Sequence, residues 1–487
     1  MASNERPNIL WICTDQQRFD TLGCYGNDVV ETPVLDSLAD RGIRFDQCFS
    51  QSPVCTPSRA SFLTGRYPRT TGCRQNGQPV PESERFVTQI LAERGYNCGL
   101  AGKLHVSPSD RESVESRSVS EPLRRVDDGY SEFHWSHSPT DPHPSNAYHK
   151  WLKREGVSVT PSPYEGSEHV LTWVDPEYHQ TTWCIEEAAN FIEAHESHDD
   201  PWLFSLNLFD PHPPFDPPES YLERYVDRLD EIHEPNYERG ELDDKPQVQR
   251  DKHRGDNNRG GPPFVDVSDD DHMLIRAAYY AMVDLIDDQI GRLFETLEQT
   301  GQREDTLVVF MSDHGEMLGD HGLYAKGPYF YDPAVRVPLI VSQPGVVRGG
   351  IESDAIVELV DIAPTLLEAA GIDRPTGMQG RSLWSAVTGE IDINDHRDSA
   401  YCEFYNASTQ HTDPRAYATM VRTDDYKLVS VHGRDEGELY DLASDPDEMK
   451  NLWYNPAYES KKCELLDELA FRMAETVDPL PERVGRW

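Results

Sequence analysis

Four short apolar runs, each ending in a polar cluster and separated by helix-patterned chain, constrain this sequence more than any other feature. They are residues 8–13 before Thr14-Asp15-Gln16, 98–101 before Gly102-Lys103, 202–208 before Asp210-Pro211-His212, and 306–311 before Ser312-Asp313-His314. A short continuous apolar run between turn signals reads as a strand buried on both faces, the kind found in parallel sheets. Between the runs, apolar residues recur at helical spacing over 33–42, 86–95, 181–195 and 269–300. Strand alternating with helix predicts an α/β chain whose large, mostly parallel sheet is covered by helices on both faces. Open sheets of this kind bind ligands at the carboxyl ends of their strands, so four polar clusters at four strand ends predict one site along that edge.

Two segments depart from the pattern. Residues 106–175 are rich in Ser, Pro, His and charge, and residues 234–263 carry little apolar content; both read as insertions, each either a specificity surface or without order. Beyond about residue 385 the texture changes to short strands at 417–422, 427–431 and 438–442, then an amphipathic helix over 456–477. The expected organisation is a catalytic α/β domain over 1–385 with those two insertions, and a small C-terminal α+β unit over 386–487, an antiparallel sheet closed by a helix.

Charge excludes whole classes of partner. The chain of 487 residues has a net charge of −42, spread along its length, and such a surface repels nucleic acid and anionic membranes. Only ten of its 45 basic residues are lysine. An acidic, lysine-poor surface suits a high-salt cytoplasm, so a halophilic source is expected, against the alternative of an acidic protein from an ordinary cell. No stretch approaches the roughly 18 apolar residues of a membrane helix, and because the opening MASNERP leads straight into the first apolar run, no signal peptide is expected. Nine cysteines, an odd number with no C-x-x-C pair, read as mostly reduced thiols in a cytoplasmic protein.

Asp15, Gln16, Asp313 and His314 bring two carboxylates, an amide oxygen and an imidazole to two strand ends. That donor set suits a hard divalent cation, Ca²⁺ or Mg²⁺, and the imidazole leaves Mn²⁺ open. Read alone, an acidic pair after a strand is more often a helix cap or turn, a reading that four matched positions in order reverse. The most specific stretch is Cys55-Thr56-Pro57-Ser58-Arg59, followed by Leu63-Thr64-Gly65-Arg66. Together with the clusters above, it resembles the type I, formylglycine-dependent sulfatases of the alkaline phosphatase superfamily. The resemblance covers residues 8–342 closely, and more loosely the Arg422-to-Lys427 and Glu438-to-Leu442 segments.

That resemblance implies an alkaline-phosphatase-like fold and a chemistry. Cys55 would be oxidised by a formylglycine-generating maturation enzyme, and its hydrated aldehyde would attack sulfur and later expel sulfate by collapsing. Asp15, Gln16, residue 55, Asp313 and His314 would hold the cation, Ca²⁺ first, and Arg59 would pair with this centre. Gly102-Lys103-Leu104-His105 resembles the family's G-K-x-H, in which Lys103 neutralises sulfate oxygens and His105 helps the collapse. His212 would contact the sulfate, Asp313 would take the proton of the attacking hydroxyl, and His212 and Lys326 would serve the leaving oxygen. Arg124, His137 and His143 are candidates to contact the rest of the substrate, and the aromatic segment 127–137 would suit a sugar ring or could equally be a packed turn. The expected partner is a small sulfated molecule, with a homo-oligomer left open.

Asp15-Gln16 and Asp313-His314 look more like choline sulfatases and phosphonate monoester hydrolases than like many other sulfatases, which carry two aspartates at the first pair. Phosphonate hydrolases, in turn, tend to lack the lysine and histidine kept here at 103 and 105. The leading expectation is therefore a sulfatase. A phosphonate monoester hydrolase or phosphodiesterase using the same site is the first alternative, and an unmatured, non-catalytic acidic binding protein the second.

Overall fold

The computed structural model describes residues 6–107, 127–141, 143–158, 160–165, 167–255, 262–407 and 416–481. Its strands run, in order, β1 (Asn8–Thr14), β2 (Ile43–Phe49), β3 (Asn97–Gly102), β4 (Glu132–Trp135), β5 (Ser162–Pro163), β6 (Leu171–Thr172), β7 (Trp202–Asn207), β8 (Thr306–Ser312), β9 (Arg336–Val337), β10 (Leu339–Ser342) and β11 (Ile351–Glu358). All but β5 and β6, which pair with each other, form one nine-stranded sheet in the order β11-β2-β10-β8-β1-β7-β3-β4, with β9 on β2. β9 and β10 run antiparallel to their partners and every other pairing is parallel.

The four apolar runs are β1, β3, β7 and β8, and they stand side by side as β8-β1-β7-β3. Their alternate side chains feed two cores. Leu10, Ile12, Val308 and Phe310 face helices Pro33–Asp40, Gln180–Ala194 and Asp269–Gln299, whereas Ile9, Trp11, Val309 and Met311 face helices Cys55–Thr64, Val87–Glu93 and Ile362–Ala369. Burial on both faces explains why these strands lack alternation. The expected helices end within a few residues of their sequence-read limits, as fraying ends do.

A second, four-stranded antiparallel sheet follows, β12 (Ala400–Tyr405), β13 (Tyr417–Arg422), β14 (Tyr426–Val431) and β15 (Glu436–Asp441), in that order across the sheet. Helix Glu459–Glu475 closes it, burying Leu465 and Leu469. Lys427 of β14 fastens this sheet to the main body. Its wholly buried ammonium donates to the Phe330 carbonyl (3.0 Å) and the Asp332 carboxylate (2.5 Å), and pairs with Glu448 (2.6 Å). Among the described residues, no helix is long and apolar enough to cross a membrane.

Candidate active site

Each of the four central strands ends at the same place, and the backbone there is unusual. Gly102 ends β3 at φ +100°, where a Cβ would lie 1.9 Å from the Asn207 carbonyl, so only glycine fits. The next amide, of Lys103, donates to that carbonyl (2.9 Å) and turns the lysine into the site. Gln16, His105 and Ala325 all adopt left-handed φ (65°, 54° and 62°), a cost that surrounding structure must cover and that collects at functional sites. Helix Cys55–Thr64 enters from the second core with all ten residues buried and no side-chain N-cap. Pro57 in its first turn gives up no helical hydrogen bond. Ser58 donates to the Asp313 carbonyl (2.6 Å), which fixes the start of this helix against the end of β8.

Cys55 Sγ is the focus of the arrangement. It lies 2.9 Å from Lys326 Nζ, 3.2 Å from His314 Nε2, 3.7 Å from Asp15 Oδ1 and 3.8 Å from Lys103 Nζ, and His105 and His212 interact with it electrostatically. One turn on, Arg59 donates to Asp313 (2.8 Å), to Asp15 (3.2 Å) and to the Lys103 carbonyl (2.6 Å). Lys103 also pairs with Asp15.

The electrostatics follow from that geometry. Burial raises the Cys55 thiol, but Lys103, Lys326, His314 and His105 outweigh it and hold the thiol well below its ordinary value. The position is therefore built for negative charge. Burial raises the Asp15 carboxyl as well, yet Lys103, His212 and Arg59 bring it below the usual carboxylate range. His105 and His212 are lowered, first by burial and then by the neighbouring ammonium groups, so both are neutral near pH 7.

The donor set fits a divalent cation. Asp15, Cys55, Asp313 and His314 are buried and offer ligand atoms all within 4.8 Å of one another. Gln16 Oε1 faces the same space, because Lys326 Nζ bonds it at 2.5 Å while also meeting Cys55 Sγ and His314 Nε2 (3.3 Å). An ammonium thus lies among these donors, as expected where oxygen and nitrogen lone pairs converge on a position for positive charge.

Of the remaining sequence-selected residues, His137 packs edge-on against His105 with ring centres 4.6 Å apart, and His143 lies edge-on to Trp135 at 5.6 Å. His137 therefore meets the site at His105, whereas His143 lies farther out, on Trp135, which stacks on His137 at 6.3 Å. Arg124 lies outside the described residues. In the aromatic segment 127–137, Tyr130 and Trp135 are buried, Phe133, His134 and His137 are half-buried, and Glu132–Trp135 is the edge strand β4. Aromatic content there serves the second core. Sequence reading passed over Asn76, whose Oδ1 accepts from the Thr56 amide (3.0 Å) beside Cys55, and Glu316, which bonds Gln16. Asn76 sits in a loop with no pattern of its own. Glu316 carried a signal, an acidic residue two positions after His314.

The fold, with the buried Cys55 thiol and a cation-capable acidic cluster at its strand ends, is that of a hydrolase of the alkaline phosphatase superfamily. A family model described as Sulfatase matches residues 7–372, and one described as N-sulphoglucosamine sulphohydrolase, C-terminal, matches residues 319–475. The chain belongs to the sulfatase family, whose enzyme class is that of sulfuric ester hydrolases. It is 30% identical over 479 residues to the uncharacterized sulfatase YidJ of Escherichia coli (strain K12), spanning 98% of this chain and 88% of that protein. It is 28% identical over 511 residues to an N-acetylglucosamine-6-O-sulfatase of Bacteroides thetaiotaomicron, with the same two coverages. The solved phosphonate monoester hydrolase of Agrobacterium radiobacter superposes with a TM-score of 0.83 at 26% identity, over 99% of this chain and 98% of that one.

Proposed function

We propose that this chain hydrolyses an organic sulfate ester, a carbohydrate or small-metabolite sulfate, with Cys55 matured to formylglycine and Ca²⁺ held beside it. The observation that carries the reading is the convergence of Lys103, Lys326, His105, His212 and His314 on Cys55 Sγ, across from two carboxylates held by Arg59. The sulfur marks where the oxygens of a hydrated aldehyde would stand. When present, the matured residue supplies the nucleophile, and the cation held by Asp15, Gln16, Asp313 and His314 polarises a sulfuryl oxygen.

The chain's own groups do the rest. Lys103 is placed to hold a sulfuryl oxygen, and Arg59 keeps Asp15 and Asp313 aligned. His105, neutral and beside position 55, can accept and return a proton there. Lys326 stands where a leaving oxygen needs a donor, and His212, whose Nδ1 donates to the Pro213 carbonyl, offers a second donor there in its protonated form. A carbohydrate substrate agrees with the N-acetylglucosamine-6-O-sulfatase among the relatives. A cytoplasmic location and a maturation enzyme in the host belong to the same reading.

A second reading has an observation of its own. Gln16 beside Asp15, with the close superposition on a phosphonate monoester hydrolase, favours hydrolysis of phosphonate monoesters at this site. The deciding experiment compares an aryl sulfate with an aryl phosphonate monoester, with Ca²⁺ or Mn²⁺, using matured protein and Cys55→Ala. A sulfate preference that disappears in Cys55→Ala is expected. A phosphonate preference replaces the first reading with the second. No turnover of either, with residue 55 still a thiol by mass, points to an unmatured binding protein.

A further inference from the structure

We infer that Glu316 is a positioning residue that holds the Gln16 amide with its oxygen, not its NH₂, toward the cation, and pins the loop that delivers Lys326. The inference rests on the reading of Gln16 as a cation ligand. Glu316 is completely buried. Its Oε2 accepts from Gln16 Nε2, and its Oε1 accepts from the backbone amides of Leu318 (2.9 Å) and Ala325. A carboxylate is acceptor-only, so it binds only the NH₂ end of the amide and leaves Oε1 pointing the other way.

Every other polar group of Gln16 is also engaged. Its backbone amide donates to Asp313 Oδ1 (3.0 Å), its carbonyl accepts from the Tyr279 hydroxyl (2.7 Å), and its left-handed φ fixes the direction in which the side chain leaves the strand. Only Oε1 remains, and it meets Lys326 Nζ. Through Ala325, the same carboxylate fixes the residue immediately before Lys326. One buried side chain thus orients a ligand on the cation side and a donor on the leaving-group side.

The pair also accounts for glutamine at position 16. An aspartate there would set a second carboxylate facing Glu316, with no donor between them. Glutamine at 16 and glutamate at 316 are a matched pair, and the match predicts a reciprocal exchange. With Gln16→Glu and Glu316→Gln together, the new amide at 316 still accepts from Leu318 and Ala325 through its oxygen and donates to the new carboxylate at 16. Either change alone sets two like groups against each other.

The test is calorimetric titration of Ca²⁺ and Mn²⁺ into metal-stripped, matured protein, with thermal midpoints in chelator as a check on folding. Removing the partner that orients a metal ligand typically weakens binding about 10- to 100-fold. Glu316→Gln and Gln16→Glu should each show that loss, with midpoints close to the parent's, and the double variant should bind within a few-fold of the parent. Parent-like cation affinity in Glu316→Gln, or a double variant no tighter than the weaker single, overturns the inference. If a single variant does not fold, the double decides: folded and binding supports the pair, unfolded or non-binding removes it. If the parent binds neither ion, Gln16 is not a ligand and the inference falls with that reading. Binding by the parent together with an indifferent Glu316→Gln fails Glu316 alone.

Discussion

His105 and His212 neighbour position 55 and His137 packs on His105, and all three are held below the usual histidine value, each by burial first and with Lys103 among its neighbours. Their folded pKa values are lowered, so between those values and about 6.5 the unfolded chain binds more protons than the native one. The stability tied to neutral imidazoles is therefore complete above about pH 6.5 and is lost as pH falls through the folded values. The urea midpoint of the metal-free protein should drop between pH 7.5 and 5.5, and Lys103→Met, which removes a cation common to all three, should flatten that drop. An unchanged slope in Lys103→Met counts against the electrostatic account. At this scale the sequence was legible where chemistry is spelled in a row, as in Cys55-to-Arg59 and Gly102-to-His105. Glu316 and Asn76 act through contacts made across 300 and 20 positions of chain, and no local pattern reports such contacts.

The same limit appears in the elements. β1, β3, β7 and β8 were legible because burial on both faces leaves an uninterrupted apolar run. β2 reads Ile-Arg-Phe-Asp-Gln-Cys-Phe, with polar residues interleaved, and four-residue β10 follows Pro338, so neither announces itself before its partners are known. The segment 234–263 was open between specificity surface and no order, and its described part shows a further role. Helix Gln247–Arg254 carries His253 onto Phe264, which stacks on His272, which stacks on Tyr324, with centroid separations of 5.3, 4.3 and 5.7 Å. Tyr324 lies two residues before Lys326. Farther along the same loop, Asn236 and Asp320 bond at 2.8 Å, and His321 donates to the Asn236 carbonyl (2.7 Å). The column therefore braces the Lys326 loop at Tyr324, beside the Ala325 amide that Glu316 holds. Phe264 is half-buried, so Phe264→Ala should cost less than the about 3–5 kcal/mol of a fully buried phenylalanine. Because small misplacements of a catalytic donor are expensive, kcat should fall about 10- to 100-fold with KM little changed. Lost stability with an intact kcat would make the column ordinary packing.

At the scale of the whole molecule, the question is where the 87 acidic and 45 basic side chains go. Arg18, Arg59, Lys103, Arg397, Lys427 and Arg472 are all inside, each paired with a buried carboxylate: Asp320, Asp313, Asp15, Asp361, Asp332 and Glu358 respectively. These interior pairs are close to neutral. Much of the acidic excess lies on the surface, as in the exposed Asp269-Asp270 at the head of the longest helix and Asp243-Asp244 on the insertion. Like charges spread over a compact surface repel, and the repulsion is relieved on unfolding as the charges move apart. Salt shortens the Debye length from about 10 Å at 0.1 M to about 3 Å at 1 M, which removes most of that repulsion while leaving the buried pairs nearly untouched. The thermal midpoint should therefore rise steeply with KCl up to about 1 M and less steeply beyond, whereas a neutral osmolyte at matched water activity should raise it less. A midpoint level from 0.1 to 1 M KCl, or one that sucrose raises equally, would show that surface repulsion is not what limits this fold and would remove the argument for a high-salt cytoplasm.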